Sequence, residues 1–221
     1  MGELFAEYNI LGAFGMNVLL TIFAAIGSLI IGTIVAILRI SPVGLLQKVG
    51  AFYVNTVRNT PLTLIIIACN IIMIVNLGFN LSDDLVRNNI IWAIIGLSVY
   101  HAAFVCESLR SGVNTVPLGQ AEAARSVGLT FGQSLREVLL PQAFRGAITP
   151  LGNTLIALTK NTTVATAIGV AEISGLMKTM QEFRPDLIFA IFMIVAIGFV
   201  ILTLPVGLLT TYLSNRLAVK R

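Results

Sequence analysis

The sequence predicts an all-α membrane protein, a bundle of five transmembrane helices with one long polar loop on its cytoplasmic face, and three observations carry that reading. The 221 residues are 57% hydrophobic and only 11% charged, with a mean hydropathy of +0.93, whereas soluble domains average about 25% charged residues. Charge-free stretches run from Tyr8 to Leu38, Asn59 to Ser82, Asn88 to Cys106 and Leu187 to Asn215, and a fifth, from Ile148 to Val170, is interrupted only by Lys160. A helix needs about 20 apolar residues to cross a hydrocarbon core about 30 Å thick. The runs are continuous, which excludes the roughly 10-residue alternating segments of a barrel and leaves helices as the way to satisfy backbone groups in lipid.

The first run is flanked by Glu3 and Glu7 where a secretory signal would carry basic residues, so it is expected to stay on the mature chain. Span one, about 12–38, is longer than a crossing requires and can tilt. Ser41-Pro42 ends it. Val43 to Thr56 is amphipathic, carries Lys48 and reads as a short helix along the inner surface. Arg58-Asn59-Thr60-Pro61 opens span two, about 59–78, with the proline in a first turn that needs no N–H from it. A short outer loop leads to span three, about 88–109.

The loop 113–146 is punctuated by Pro117, Gly119, Gly128, Gly132 and Pro141, and it is too polar to cross. Gly119 to Val127 is rich in helix formers, and Gly128 suits a left-handed cap after it. Thr130-x-x-Gln133 has the form of a capping box for a second helix, expected to stop at Leu140 because Pro141 follows. Spans four and five, about 148–170 and 187–213, complete a single domain, 1–221, without internal repeat, low-complexity tract or linker.

Positive charge orients the bundle, because Lys and Arg near span ends collect on the cytoplasmic side. With the N-terminus outside and the C-terminus inside, Arg39, Lys48, Arg58, Arg110, Arg125, Arg136, Arg145, Arg216, Lys220 and Arg221 are inner. Those are ten of the fourteen basic residues. Only Arg87, Lys178 and Arg184 are outer, and Lys160 is intramembrane. The excess of +4 is thus a topology signal and implies no nucleic acid. Cys69 and Cys106 both fall within spans, as small apolar residues without a disulfide. His101, the sole histidine, matches no zinc spacing and reads as a packed, hydrogen-bonded imidazole. No catalytic set, metal site or cofactor fingerprint is expected.

Glu122-Ala123-Ala124-Arg125-Ser126-Val127-Gly128, followed by Leu139-Leu140-Pro141-Gln142-Ala143, resembles the EAA loop of ABC importer permeases with the type I importer fold. The flanks extend the match: Tyr100-x-Ala102, Glu107, Arg110-Ser111-Gly112, Val116-Pro117-x-Gly119-Gln120, Arg145, Pro150-x-x-Asn153 and Lys160-Asn161-Thr162. Together with Arg58 to Pro61 they are similar to the branch that imports polar amino acids such as histidine, glutamine, arginine and glutamate. The resemblance implies a coupling helix, with Gln120, Glu122, Ala123, Ala124, Arg125, Gly128 and Pro141 seated on a separate ATP-hydrolysing subunit. It implies two such subunits, a second permease that is a copy or a sister chain, an extracytoplasmic binding protein, and a bacterial inner membrane. The chain carries no G-x-x-x-x-G-K-[ST] phosphate loop and so is not itself the enzyme. Small alanines permit close approach, and Glu122 and Arg125, three apart on one helix face, are free to pair with each other or with a partner.

Lys160 sits about 15 Å deep, near the midplane of span four. An ammonium there costs about 2.5–3.5 kcal/mol on insertion scales, so it should face a bundle interior or a watery cavity. Thr159, Asn161, Thr162 and Thr163 make a polar belt with it, read as substrate-facing, the competing reading being threonines bonded to their own helix. The family commonly places an aspartate after this lysine, and here stands Asn161, which favours an acidic amino acid such as glutamate, or a neutral one, over a cationic one. Glu107 would neutralise Lys160, hold a substrate amino group, or simply pair with Arg110 three residues on. Glu172 and Glu182 fall in the outer loop before span five, read as a solvated face, with docking of a binding protein as the alternative. A gradient-driven transporter or channel using Lys160 and Glu107 as a charge relay, or a membrane scaffold, are the competing classes, and neither needs the Glu122 to Pro141 loop.

Overall fold

A computed structural model describes residues 2–217, so Lys220 and Arg221 of the charge pattern lie outside the described residues. Those residues are helical in every regular element, with no strand among them. A short α1 (Gly2–Glu7) precedes α2 (Ile10–Ile40), whose N-cap Asn9 accepts the Gly12 N–H at 2.9 Å. The α2 helix outruns the expected span by two residues at either end, and its outer flank of Ile22, Phe23, Ile26, Ile30 and Ile34 is more than half exposed. Such a patch would aggregate in water and costs nothing against acyl chains.

The amphipathic α3 (Gly44–Arg58) meets α4 (Leu62–Ala68) at 103°. Thr60-Pro61 makes the corner, since proline disfavours helical backbone at the residue before it. The α4 helix widens into a π-helical run, Cys69–Asn76. The next helix, α5 (Leu85–Val113), is the hub: 56% of its most apolar window is buried, against 28% for α2 and 11% for the C-terminal helix. Its Ala93, Ala102 and Ala103, with Ala24 and Ala36 of α2, are almost wholly buried, and small side chains of this kind let membrane helices approach closely.

After α5 come α6 (Leu118–Ser126), one turn of α7 (Phe131–Gln133), a π-helical run Ser134–Leu139, and α8 (Leu140–Gly146). Pro141 therefore does not stop the second loop helix. The wider π turn before it shifts the carbonyl ladder a proline would otherwise disrupt, and the helix continues through. Then α9 (Ile148–Asn161) gives way to a 3-10 turn, Thr162–Ile168, that ends on Gly169 in the left-handed region. Span four is thus broken where an unbroken helix to Val170 was expected. The cause is local: the Thr162 and Thr163 hydroxyls donate to the carbonyls of Thr159 (2.7 Å) and Lys160 (2.8 Å), competing with helical backbone bonding.

Next, α10 (Ile173–Phe183) and a 3-10 turn, Pro185–Leu187, lead into α11 (Ile188–Leu217), whose Phe189, Ile201 and Leu208 are also exposed. Arg184 gathers Glu3 (3.4 Å), Glu7 (3.5 Å) and Asp186 (3.2 Å) there. Glu172 corrects the sequence reading: it is not on a solvated face but fully buried, and it caps α10 by accepting the N–H groups of Ser174 and Gly175. Among the described residues three helices (α2, α5 and the run from Pro185 to Leu217) are long and apolar enough to cross a membrane, and the α3–α4 pair with its π-helical extension makes a fourth, bent candidate.

Candidate functional site

Two places concentrate the candidate residues. The first is the elbow made by α6 and the segment after it. Pro117 caps α6, and Gly128, at φ 84°, ends it. The Gly128 N–H donates to Arg125 O (3.0 Å) and the Leu129 N–H to Ala124 O (3.2 Å), the paired bonds of a Schellman stop that only a residue at ease in the left-handed region completes without strain. Thr130 and Gln133 then close a reciprocal capping box, at 2.9 and 3.3 Å. Ala124 is buried, 5% exposed, where α6 packs on the Ser134–Leu139 turn, whereas Gln120, Glu122, Ala123, Arg125 and Gly128 are exposed, as is Pro141. Glu122 and Arg125 form no ion pair among the described residues. Val127, 77% exposed, and Phe131 add apolar surface beside them. The elbow thus presents an exposed face of Glu122, Ala123 and Arg125, flanked by Val127 and Phe131, in which the two charges have no ion-pair partner among the described residues.

The elbow is tied to the hub. A Cβ on Gly112 of α5 would lie 3.0 Å from the backbone N of Ala147 and press on the Ala143 carbonyl, so bare backbone is what lets α8 seat against α5. Where α5 leaves the core, Glu107 is held by Arg110 at 2.9 Å and also by Arg39 from α2. The Arg110 pair was visible as an i,i+3 spacing; the Arg39 contact, 68 residues away, was not. Lys160 is not a partner of Glu107.

The second place is an open pocket of about 390 Å³ between α5 and α9, lined by Tyr100, His101, Phe104, Asn153, Thr154, Ala157 and Asn161, within the volume range of small-molecule sites. Asn161 Nδ2 lies 3.2 Å from His101 Nε2. His101 is 1% exposed and its Nδ1 has no protein partner, leaving one polar atom in the wall unused. The Arg58 guanidinium lies over the Phe104 ring at 5.4 Å, placing a positive charge beside a wall that itself carries none.

Of the predicted belt only Asn161 lines this pocket. Thr162 is fully buried and engaged elsewhere, Thr163 bonds its own backbone, and Lys160 is exposed on the surface of this chain with no ion pair among the described residues. His101, Asn153 and Arg58 are the residues sequence reasoning did not place at the pocket. Asn153, eight positions before Asn161 and on the same face of α9, was the available signal, whereas His101 comes from α5. No cluster of three or more His, Cys, Asp or Glu side chains able to hold a metal occurs among the described residues.

An all-helical bundle with an exposed, glycine-broken elbow and a pocket in its interior defines a membrane permease driven from outside itself. Residues 8–219 match the family described as binding-protein-dependent transport system inner membrane component, and the chain belongs to that family. It is 52% identical, over 100% of both chains, to a glutamate transport system permease protein of Corynebacterium glutamicum. It is 33% identical to a probable glutamine ABC transporter permease protein of Bacillus subtilis, over 91% of this chain and 89% of that one. Among solved structures it is similar to an amino acid ABC transporter at TM-score 0.77 and 25% identity, over 94% of this chain and 93% of that one. The chain is therefore a multi-pass inner-membrane permease subunit of an ABC importer, which works with ATP-binding subunits and a substrate-binding protein, and hydrolysis belongs to the separate subunit.

Proposed function

We propose that this permease carries an acidic amino acid, glutamate, inward through the α5–α9 pocket, driven by two ATP-binding subunits of which one grips the α6 elbow. The full-length relative named for glutamate transport supports the substrate. The pocket agrees with it: an uncharged, amide-lined wall beside Arg58 gives an anion a positive field and gives a cationic side chain no carboxylate. Glu107 takes no part in binding here, because two arginines already occupy it.

We read five crossings, with α9 and its 3-10 extension as the fourth, and the basic residues gathered at one side support an outer N-terminus and a cytoplasmic α6 elbow. Lys160 supports a paired assembly. An ammonium exposed at mid-depth to lipid is expensive, and a second permease, identical or sister, covering a shared watery path would remove that cost. Gln120, Glu122, Ala123, Ala124, Arg125 and Gly128 form the coupling contact, and Pro141 lies on the helix that carries it back to α5.

The exposed, unpaired Glu122–Arg125 face is the observation that carries this reading. ATP-dependent uptake of labelled glutamate and arginine by the reconstituted complex tests the substrate. Glutamate is expected to be taken up and unlabelled arginine to compete poorly, and preferential arginine uptake would reverse the assignment.

A further inference from the structure

Away from the pocket, three fully buried polar side chains from distant parts of the chain meet: Asn17 of α2, Thr162 at the break after α9, and Glu172 at the head of α10. Asn17 Nδ2 donates to Thr162 Oγ1 (2.8 Å) and to Glu172 Oε2 (3.0 Å), and Asn17 Oδ1 accepts the Ile173 N–H (3.1 Å). Thr162 passes its own hydrogen to Thr159 O, 2.7 Å away. The Glu172 oxygens take the N–H groups of Ser174 (2.9 Å) and Gly175 (3.0 Å). No cation pairs with Glu172 among the described residues. Every donor of the group meets an acceptor, with Glu172 Oε2 taking two, so loss of one member strands its partners and the group holds or opens as a unit.

What the knot joins gives it a use. Thr162 directly follows Asn161 in the pocket wall. Glu172 begins α10, and Ser174 Oγ adds a bond to Thr163 O (3.3 Å). From Asn161 the chain runs back through α9 and α8 to the elbow with only Ala147 between those helices.

We propose that Asn17, Thr162 and Glu172 are positioning residues that fasten the outer helix α10 to the pocket wall, so that a partner displacing α10 moves Asn161 and, through α9, the elbow. This rests on the orientation proposed above, with the α6 elbow in the cytoplasm, which leaves α10 on the outer side from which a substrate-binding protein docks. Docking of the loaded binding protein is then reported inward by packed hydrogen bonds, without the substrate itself having to carry the signal.

The test is ATP hydrolysis by the reconstituted complex with and without loaded binding protein. Glu172→Gln replaces an acceptor by a donor facing Asn17 Nδ2, and the stimulation is expected to fall about tenfold. Adding Asn17→Asp supplies an acceptor for that new donor, and with the Thr162 hydroxyl turned from Thr159 O to donate to the new carboxylate most of the stimulation should return. Thr162→Val removes the oxygen at nearly constant shape and should lower stimulation even if Glu172→Gln assembles poorly. Stimulation equal to the parent in both Glu172→Gln and Thr162→Val, or a double variant no better than Glu172→Gln, would overturn the proposal. A parent complex that the binding protein does not stimulate would instead defeat the orientation on which it rests.

Discussion

The elbow and the buried knot are built in opposite ways. Every bond that shapes the elbow is local: Gly128 to Arg125, Leu129 to Ala124, Thr130 to Gln133. The side-chain bonds of the knot to Asn17 span 145 and 155 residues. The elbow turns its charged face outward with nothing on it, and the knot turns every polar group inward with nothing spare. On the reading proposed above, a surface that takes up and releases a motor stays open, and a joint that must not slip is closed. Substitutions in the two regions should therefore separate stability from transport.

The largest loss of stability is expected at the knot. Glu172→Ala strands the buried Asn17 amide, at about 1–3 kcal/mol, and removes the cap of α10 from the part-buried Ser174 and Gly175 N–H groups, at about 1 kcal/mol more. The thermal midpoint in detergent should drop by roughly 6 °C or more, and a midpoint within 1–2 °C of the parent, about what surface changes give, would show that the knot does not hold the fold. Next comes Gly128→Val, which forces a β-branched residue into the left-handed region at about 1–2 kcal/mol. Its midpoint should fall less than that of Glu172→Ala, while uptake is nearly abolished because the elbow is re-aimed. Glu122→Ala should leave stability within about 0.5 kcal/mol, as for surface sites generally, yet lower uptake at least tenfold, a loss of about 1.4 kcal/mol in coupling.

The smallest effect concerns the outer cluster. Arg184 beside Asp186 holds that carboxyl below the usual range, so the pair stabilises the fold above the ordinary carboxylate pKa and the contribution is lost as pH falls through the depressed value. Arg184→Ala should therefore flatten the acid limb of a midpoint-versus-pH curve slightly and leave neutral pH nearly untouched. A neutral-pH drop as large as that of Glu172→Ala would rank the two regions wrongly.

The same contrast explains what could be read from sequence. The spans, the Gly128 stop and the Thr130–Gln133 box follow from hydropathy and from residues three to five apart, and all are visible along one strand of letters. Pro141 misled because a proline normally ends a helix, and the π turn that accommodates it has no sequence signature. The belt at Lys160 to Thr163 was recognisable as unusual, but which of its members face the pocket depends on where α9 breaks. That break comes from Thr162 and Thr163 bonding back on their own helix. Glu172 looked solvated because a carboxylate in an outer loop usually is, and its burial is decided by Asn17, 155 positions away. His101 reached the pocket only once α5 and α9 were side by side.

A cysteine at position 123, with Cys69 and Cys106 replaced by alanine, probes the elbow most directly, since Ala123 is exposed on α6. In the assembled complex in closed membrane vesicles, Ala123→Cys should cross-link to the ATP-binding subunit and stay shielded from an impermeant thiol reagent added to the outer side. Labelling from the outside, or an assembled complex in which this position cross-links to no ATP-binding subunit, would contradict the assignment of the elbow as the contact through which hydrolysis drives the bundle.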